Sequence, residues 1–472
     1  MKRKYSSLAK NIGLFTIGSF GSKIVSFLMV PLYTAVLSTS EYGTVDLLQT
    51  TVQLLIPILT LSIQDATLRF SMDINFEKKD VLSTTCKVIS RGVFLLLIGL
   101  IILKLSGVID LSFPYLAFLF LNFTLGSLNN CFNLYLKGKN QASVIAVGGI
   151  LCTFVICISN YLLLIVFDFN IVGYMISNNL GLLVQALYQI IVGKIYLDLR
   201  LKNYNDLSKP MIKYSSPLIA NSLAWWVNNA SDRYILTIFQ GVAVNGVYSV
   251  SYKIPTILTT FQSVFYNAWS ISAITEFNKD DEDGFLGNSY SFYSFLSILV
   301  CGGLILLNIP FARILYSGDF FEAWESVPFL LVGTVFNGIS QFEGSLFAAV
   351  KRTKSVAITT VLGAVLNTIL NIVFIQIWGA VGAAFATMMG YCLTWILRTI
   401  FLQSFVHMKV KWINHFLVIT LLMLEAMLAT LNILYIVQVL LMIAILVLQK
   451  DFIKRLKNVL FNFIKSGPFN PK

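Results

Sequence analysis

The chain has 472 residues, of which 57% are hydrophobic and 12% charged, and its formal net charge is +12 at pH 7. A soluble domain carries about 25% charged residues, so a globular soluble enzyme is excluded and a polytopic membrane protein is indicated. Basic loops on one side of a bilayer account for the positive charge, so nucleic acid is not an expected partner.

Met1-Lys2-Arg3-Lys4 is basic, but the apolar run over 11–37 is too long for the core of a cleaved signal peptide, and a retained first span is expected. A spanning helix needs about 20 apolar residues, and on that measure the chain holds about fourteen candidates. The first six cover 11–37, 41–69, 83–105, 112–136, 142–167 and 170–194. The next six cover 211–239, 245–275, 285–310, 325–350, 355–377 and 379–403, and a last pair covers 412–430 and 432–448. Lysine and arginine cluster in alternate loops, at Lys78 and Lys79, Lys137 and Lys139, Lys194 to Lys213, Lys351 to Lys354, and Lys409 and Lys411. The opposite loops hold only Lys104 and Arg313. That asymmetry places both termini in the cytoplasm. The acidic loop Asp280-Asp281-Glu282-Asp283 reads as solvated, and 449–472 reads as an amphipathic cytoplasmic tail.

The longest polar stretch, within 195–210, reads as a linker between an N-terminal bundle (1–194) and a second bundle (211–403), with two further helices in 404–448. The two bundles echo each other. Tyr42-Gly43 opens the second span and Asn245-Gly246 opens the eighth; each of these spans has an internal proline, Pro57 and Pro255. Gly173 and Gly181 recur at the same spacing as Gly382 and Gly390. The expected fold is therefore all-α: two bundles of about six helices related by a pseudo-two-fold axis along the membrane normal, plus two C-terminal helices.

Ionisable residues inside such spans cost about 2.5–3.5 kcal/mol each at the centre and mark function or pairing. Lys23, Arg233 and Lys253 are expected in a wet cationic cavity between the bundles, with Arg69 at the end of the second span. Asp232 reads as a counter-ion or cation ligand. Asp65 stands four residues before Arg69, the spacing of a local ion pair. Glu343 reads as a carrier of a proton or sodium ion, and Glu425 as a structural hydrogen bonder. Asn129, Asn130, Asn133, Asn367 and Asn371 read as interhelical glue. Trp225, Trp226 and Trp269 read as packing residues, with stacking on sugars as the alternative. The six cysteines show no CxxC pair and read as buried apolar groups; His407 and His415 do not suggest a metal site. No phosphate-cradling loop and no HExxH or GxSxG motif is present, so neither a nucleotide-driven pump nor a hydrolase is indicated, and no cofactor is expected beyond a sodium or proton gradient.

Several local patterns carry a resemblance: Pro31-Leu32-Tyr33, Glu41-Tyr42-Gly43, Arg69-Phe70, Ser231-Asp232-Arg233-Tyr234-Ile235-Leu236, and Gly246-Val247-Tyr248-Ser249 with Tyr252-Lys253. By these the chain resembles the oligosaccharide flippases of the polysaccharide-transporter family, in the MOP (multidrug/oligosaccharidyl-lipid/polysaccharide) exporter superfamily, which includes the MATE drug exporters. The resemblance implies alternating-access transport of undecaprenyl-diphosphate-linked oligosaccharides for O-antigen, capsule or a related polysaccharide across the bacterial inner membrane. It also implies partners among polymerases and other polysaccharide-assembly proteins. The alternatives are a cation-coupled drug or metabolite antiporter of the same superfamily, a membrane polymerase or ligase, and an assembly factor without transport.

Overall fold

A computed structural model describes residues 23, 25–107, 111–199, 205–275, 277–350 and 352–450. The basic residues before Lys23, the linker centre 200–204 and the amphipathic tail beyond Lys450 lie outside them. All the regular elements described are helical. They are α1 (Val30–Val36), α2 (Thr39–Leu59), α3 (Ile63–Ser71), α4 (Lys78–Ser106), α5 (Phe113–Gly138), α6 (Ala142–Asn160), α7 (Asn170–Val192) and α8 (Asn205–Gln240). There follow α9 (Val242–Ser251), α10 (Lys253–Thr275), α11 (Phe285–Leu306), α12 (Asn308–Leu315), α13 (Val327–Ala349), α14 (Thr353–Gln403), α15 (Trp412–Thr430) and α16 (Tyr435–Leu448). Among the described residues, six helices are long and apolar enough to cross a bilayer on their own, seven if the bent pair α2–α3 counts as one span. Their outer faces fit that reading. Phe94, Ile101, Ile102 and Leu105 of α4 are all at least half exposed, a patch that water would not tolerate and lipid would.

Four expected spans are interrupted or joined. The stretch expected as one helix over 41–69 is α2 and α3, bent by 60°. Pro57 has no N–H to continue the ladder, Leu61 and Ser62 adopt φ 53° and 50°, and the Ser62 N–H closes on the Pro57 carbonyl at 3.0 Å. The 245–275 stretch breaks at Tyr252, two residues before Ile254-Pro255. The 355–377 and 379–403 stretches run into one another as α14, turned at Gly379, where φ is 55° and ψ −129°. Only glycine adopts that conformation without strain.

Contacts divide the chain into two compact units, one comprising 1–237 with 241–246, the other 238–240 with 247–472. In the first unit, Ser38 and Glu41 form a capping box that starts α2. Tyr33 packs edge-on against Tyr174 and receives a 3.0 Å hydrogen bond from Asn160. The core gathers Ile63, Ala66, Val81, Ile89, Phe132 and Tyr135. Gly181 meets Ile156 where α7 crosses α6, so a side chain there would force the helices apart. Asn129 donates to the Leu182 carbonyl at 2.8 Å and Gln189 to Asn133 at 2.7 Å, the interhelical bonds expected of buried amides. At one end of this unit Asp198 accepts from Lys139 (2.7 Å) and Tyr135 (3.0 Å) and lies 3.5 Å from Lys79. Burial alone would raise its pKa. The hydrogen bonds from Lys139 and Tyr135 and the charges of Lys139 and Lys79 outweigh that and hold the carboxyl below its ordinary range.

In the second unit α13 is central and buried on nearly every face. Trp269 stacks on Phe342 with ring centroids 3.9 Å apart and donates to the Phe342 carbonyl, so it is a packing residue. Gly390 sits against Asn367 and Gly363 where the two parts of α14 cross, as Gly181 does in the other unit. The acidic loop departs from expectation at one residue. Asp281 is fully buried and accepts backbone N–H bonds from Leu286, Gly287 and Lys409, fixing the approach to α15. Glu425 departs as well. It is fully buried beside Gly302, yet neither carboxylate oxygen has a hydrogen-bond partner among the described residues. All six cysteines are free thiols, four of them buried.

Candidate functional site

In the first unit, α3 and α8 enclose a pocket of about 410 Å³ lined by Asp65, Leu68, Arg69, Met72, Tyr214, Leu218, Asn221 and Ser222. The break after Leu59 creates it. It swings α3 away from the axis of α2, and beside the pocket two contacts tie this region to α8. Ser215 donates to the Leu61 carbonyl at 2.7 Å, and Phe70 meets Tyr214 edge-on at 6.0 Å. Asp65 and Arg69 keep the spacing expected of them, but among the described residues no ion pair joins them; both side chains are exposed to the pocket. An exposed guanidinium, a carboxylate, a phenol, an amide and a hydroxyl thus share one cavity. Arg69 can grip a phosphate or carboxylate in a two-pronged hydrogen bond, and the neutral polar groups can meet hydroxyls.

Where α2 begins, the same helix line is sealed. Gly43 and Gly246 cross so closely that a Cβ on Gly43 would overlap the Val242 carbonyl oxygen, and one on Gly246 the Thr39 carbonyl oxygen. Beside this crossing the Arg233 guanidinium makes a 2.6 Å ion pair with Asp46. Asn245 donates to the Gly43 carbonyl at 3.2 Å and to the Asp46 carboxylate at 3.4 Å. Trp226 donates to the Thr50 carbonyl at 2.9 Å, and the Tyr234 and Thr51 hydroxyls lie 2.6 Å apart. Asp46 was not singled out from the sequence; it belongs to the second span, and only the packing of α2 on α8 brings it to Arg233. Asp232 is buried on the same helix, and its carboxylate accepts from the Arg233 backbone N–H at 2.9 Å.

The remaining expected residues lie on other elements. Lys23 is half-buried ahead of α1, and Lys253 is half-buried at the first position of α10 in the second unit. Glu343 is fully buried on α13; one oxygen accepts from Thr399 at 2.7 Å and the other has no partner among the described residues. Close to it lies a cation not singled out from the sequence. Arg398, only 5% exposed, donates to the Ser340 carbonyl and to the Thr359 and Thr360 hydroxyls at 2.6–3.2 Å. It lies near the end of the apolar run over 379–403.

The fold is shared with solved transporters. A structure of the lipid II flippase MurJ in an inward closed conformation superposes with a TM-score of 0.71 at 16% identity, covering 94% of this chain and 99% of that one. An inward-facing multidrug resistance MATE family transporter of the MOP superfamily superposes with a TM-score of 0.61 at 12% identity, covering 81% of this chain and 94% of that one. In sequence, a probable low-salt glycan biosynthesis flippase of Haloferax volcanii is 23% identical over 47% of each chain. An uncharacterized membrane protein of Methanocaldococcus jannaschii is 23% identical over 58% of this chain and 56% of its own. The matches thus span about half the length of these relatives. The profile of the family described as polysaccharide biosynthesis protein matches residues 8–270, more than half of the chain, and the protein belongs to that family.

Proposed function

We propose that the protein is a flippase moving undecaprenyl-diphosphate-linked oligosaccharide repeat units across the bacterial inner membrane by alternating access, with the Lys137–Lys139 turn on the cytoplasmic side. The observation that carries this reading is the α3–α8 pocket, in which Arg69 stands exposed and unbridged to Asp65 among amide, hydroxyl and phenol groups. A lipid diphosphate offers about two negative charges to such an arginine, and its sugars offer hydroxyls to the rest. Within the same unit, Arg233 reaches an anion only when its bond to Asp46 opens. Family membership and the glycan flippase relative support the assignment. The test is flipping of a purified lipid-linked oligosaccharide in proteoliposomes, read by accessibility of its sugars to an external lectin or glycosidase. Failure to move any such lipid while the reconstituted protein stays folded would refute it.

A second reading, a cation-coupled antiporter, is favoured by Glu343, whose buried carboxylate keeps one oxygen without a partner among the described residues. The two readings meet if a sodium ion or proton bound there drives the flippase. Glu343→Gln then folds normally but loses all stimulation by an imposed ion gradient. Unaltered stimulation would remove Glu343 from coupling.

A further inference from the structure

The contact between α2 and the α8–α9 corner is of two kinds at its two ends. Around the α3–α8 pocket the helices part. Around Asp46 they are locked by a backbone crossing at Gly43 and Gly246, an ion pair at 2.6 Å, the bridging Asn245 amide, and hydrogen bonds from Trp226 and Tyr234. Neither Asp46 nor Arg233 is fully buried, with side chains 13% and 16% exposed, so the pair lies at the edge of the contact and is not sealed within it. Both charges lie about two turns from the start of α2 or the end of α8, on the side of the membrane that the lysine and arginine distribution makes external.

We propose that Asp46–Arg233, bridged by Asn245, is the latch of an external gate. It holds the outer end of α2 shut against α8 and the first turn of α9, and the carrier opens outward by breaking it. The pair suits the task. An ion pair at a partly wetted site is strong when water is excluded and weak once water enters, so it closes firmly and lets go abruptly. The Gly43–Gly246 crossing supplies the fit, since any side chain at either glycine keeps the helices from meeting. This assignment rests on the transport reading, but its test does not need transport.

A cysteine at Thr50 is the probe. Thr50 is 1% exposed and lies one turn inward of Asp46. In right-side-out vesicles, a membrane-impermeant maleimide added outside should label Thr50→Cys slowly, the modified peptide being located by mass spectrometry. Asp46→Asn or Arg233→Gln should raise the labelling rate roughly tenfold or more, and the swap Asp46→Arg with Arg233→Asp should return it towards the parent rate. Gly246→Ala, which forces the backbones apart without touching a charge, should raise it as well. Size-exclusion profiles and tryptophan fluorescence show whether each variant is folded. Labelling unchanged by all the single variants, or raised by them but not lowered by the swap in a folded protein, overturns the latch. If labelling responds as stated but lipid-linked oligosaccharide is not flipped by the parent protein, the latch stands and the functional reading falls.

Discussion

Two arginines of the first unit are held in opposite ways, and the difference decides what each can do. Arg233 is engaged by Asp46 at 2.6 Å, whereas Arg69 faces a pocket with no ion pair to Asp65. If Arg69 grips the diphosphate, Arg69→Ala should lower flipping at least about tenfold without lowering protein level, and Arg69→Lys should keep part of the activity, because the charge stays and the fork is lost. Initial rates in proteoliposomes against a quantified blot check both arms; full activity in Arg69→Ala would move the anion site elsewhere. The sequence made such residues visible as charges in apolar runs, but not their partners. Asp46 and Arg233 are 187 positions apart, and nothing in either local pattern marks them as a pair. Glu425 was legible as an intramembrane carboxyl and not as one left without a hydrogen bond, since that depends on Gly302 and Met442 from two other helices.

At the scale of elements, apolar length alone located nearly every helix, because a bilayer imposes its thickness on the sequence. The breaks were less legible. Pro57 and Pro255 marked the two interrupted spans, but the turn after Pro57 falls at Thr60 to Ser62, where Ser215 holds the Leu61 carbonyl from another helix. The end of α7 is pinned similarly, by Asp198 to Lys139 of the α5 turn and to Lys79 of α4. Removing that carboxylate should cost about 1 kcal/mol, the usual net worth of such bonds at a partly wetted site. Asp198→Asn should therefore melt slightly earlier in detergent, by circular dichroism. The pH dependence follows from the depressed carboxyl. Its contribution is fully present above the pKa of an unfolded aspartate, about 4, and is lost as pH falls through the lower folded value. The difference in melting point between parent and variant should thus vanish in strong acid and be constant from pH 5 to 8. A difference that grew on acidification would mean that another group carries the contact.

For the whole molecule, charge and field are the governing quantities. An inside-negative potential pushes an anionic headgroup outward and draws an empty cationic site back, worth about 2.3 kcal/mol per charge per 100 mV if the full field is crossed. Flipping in proteoliposomes should therefore accelerate when a potassium diffusion potential of that sign is imposed, and slow when it is reversed. Rates indifferent to both potential and ion gradients would leave a passive facilitator. The orientation itself is open to a direct check: a reporter fused after Asn140 should read cytoplasm, and one at Asp319 the outside.

The 60° break between α2 and α3 has a mechanical consequence. An unbroken helix is a stiff rod, and a push at one end arrives at the other. Here the helical ladder is interrupted at Thr60 to Ser62, and the joint is buried and held by Ser215, so it fixes a corner between two separate rods. Arg69 and Asp65 ride on the short lever beyond the joint, whereas Asp46 and Gly43 sit on the long one before it. The pocket wall and the glycine crossing therefore lie on two differently directed segments. What the sequence presents as one span thus makes two separately oriented contacts with α8.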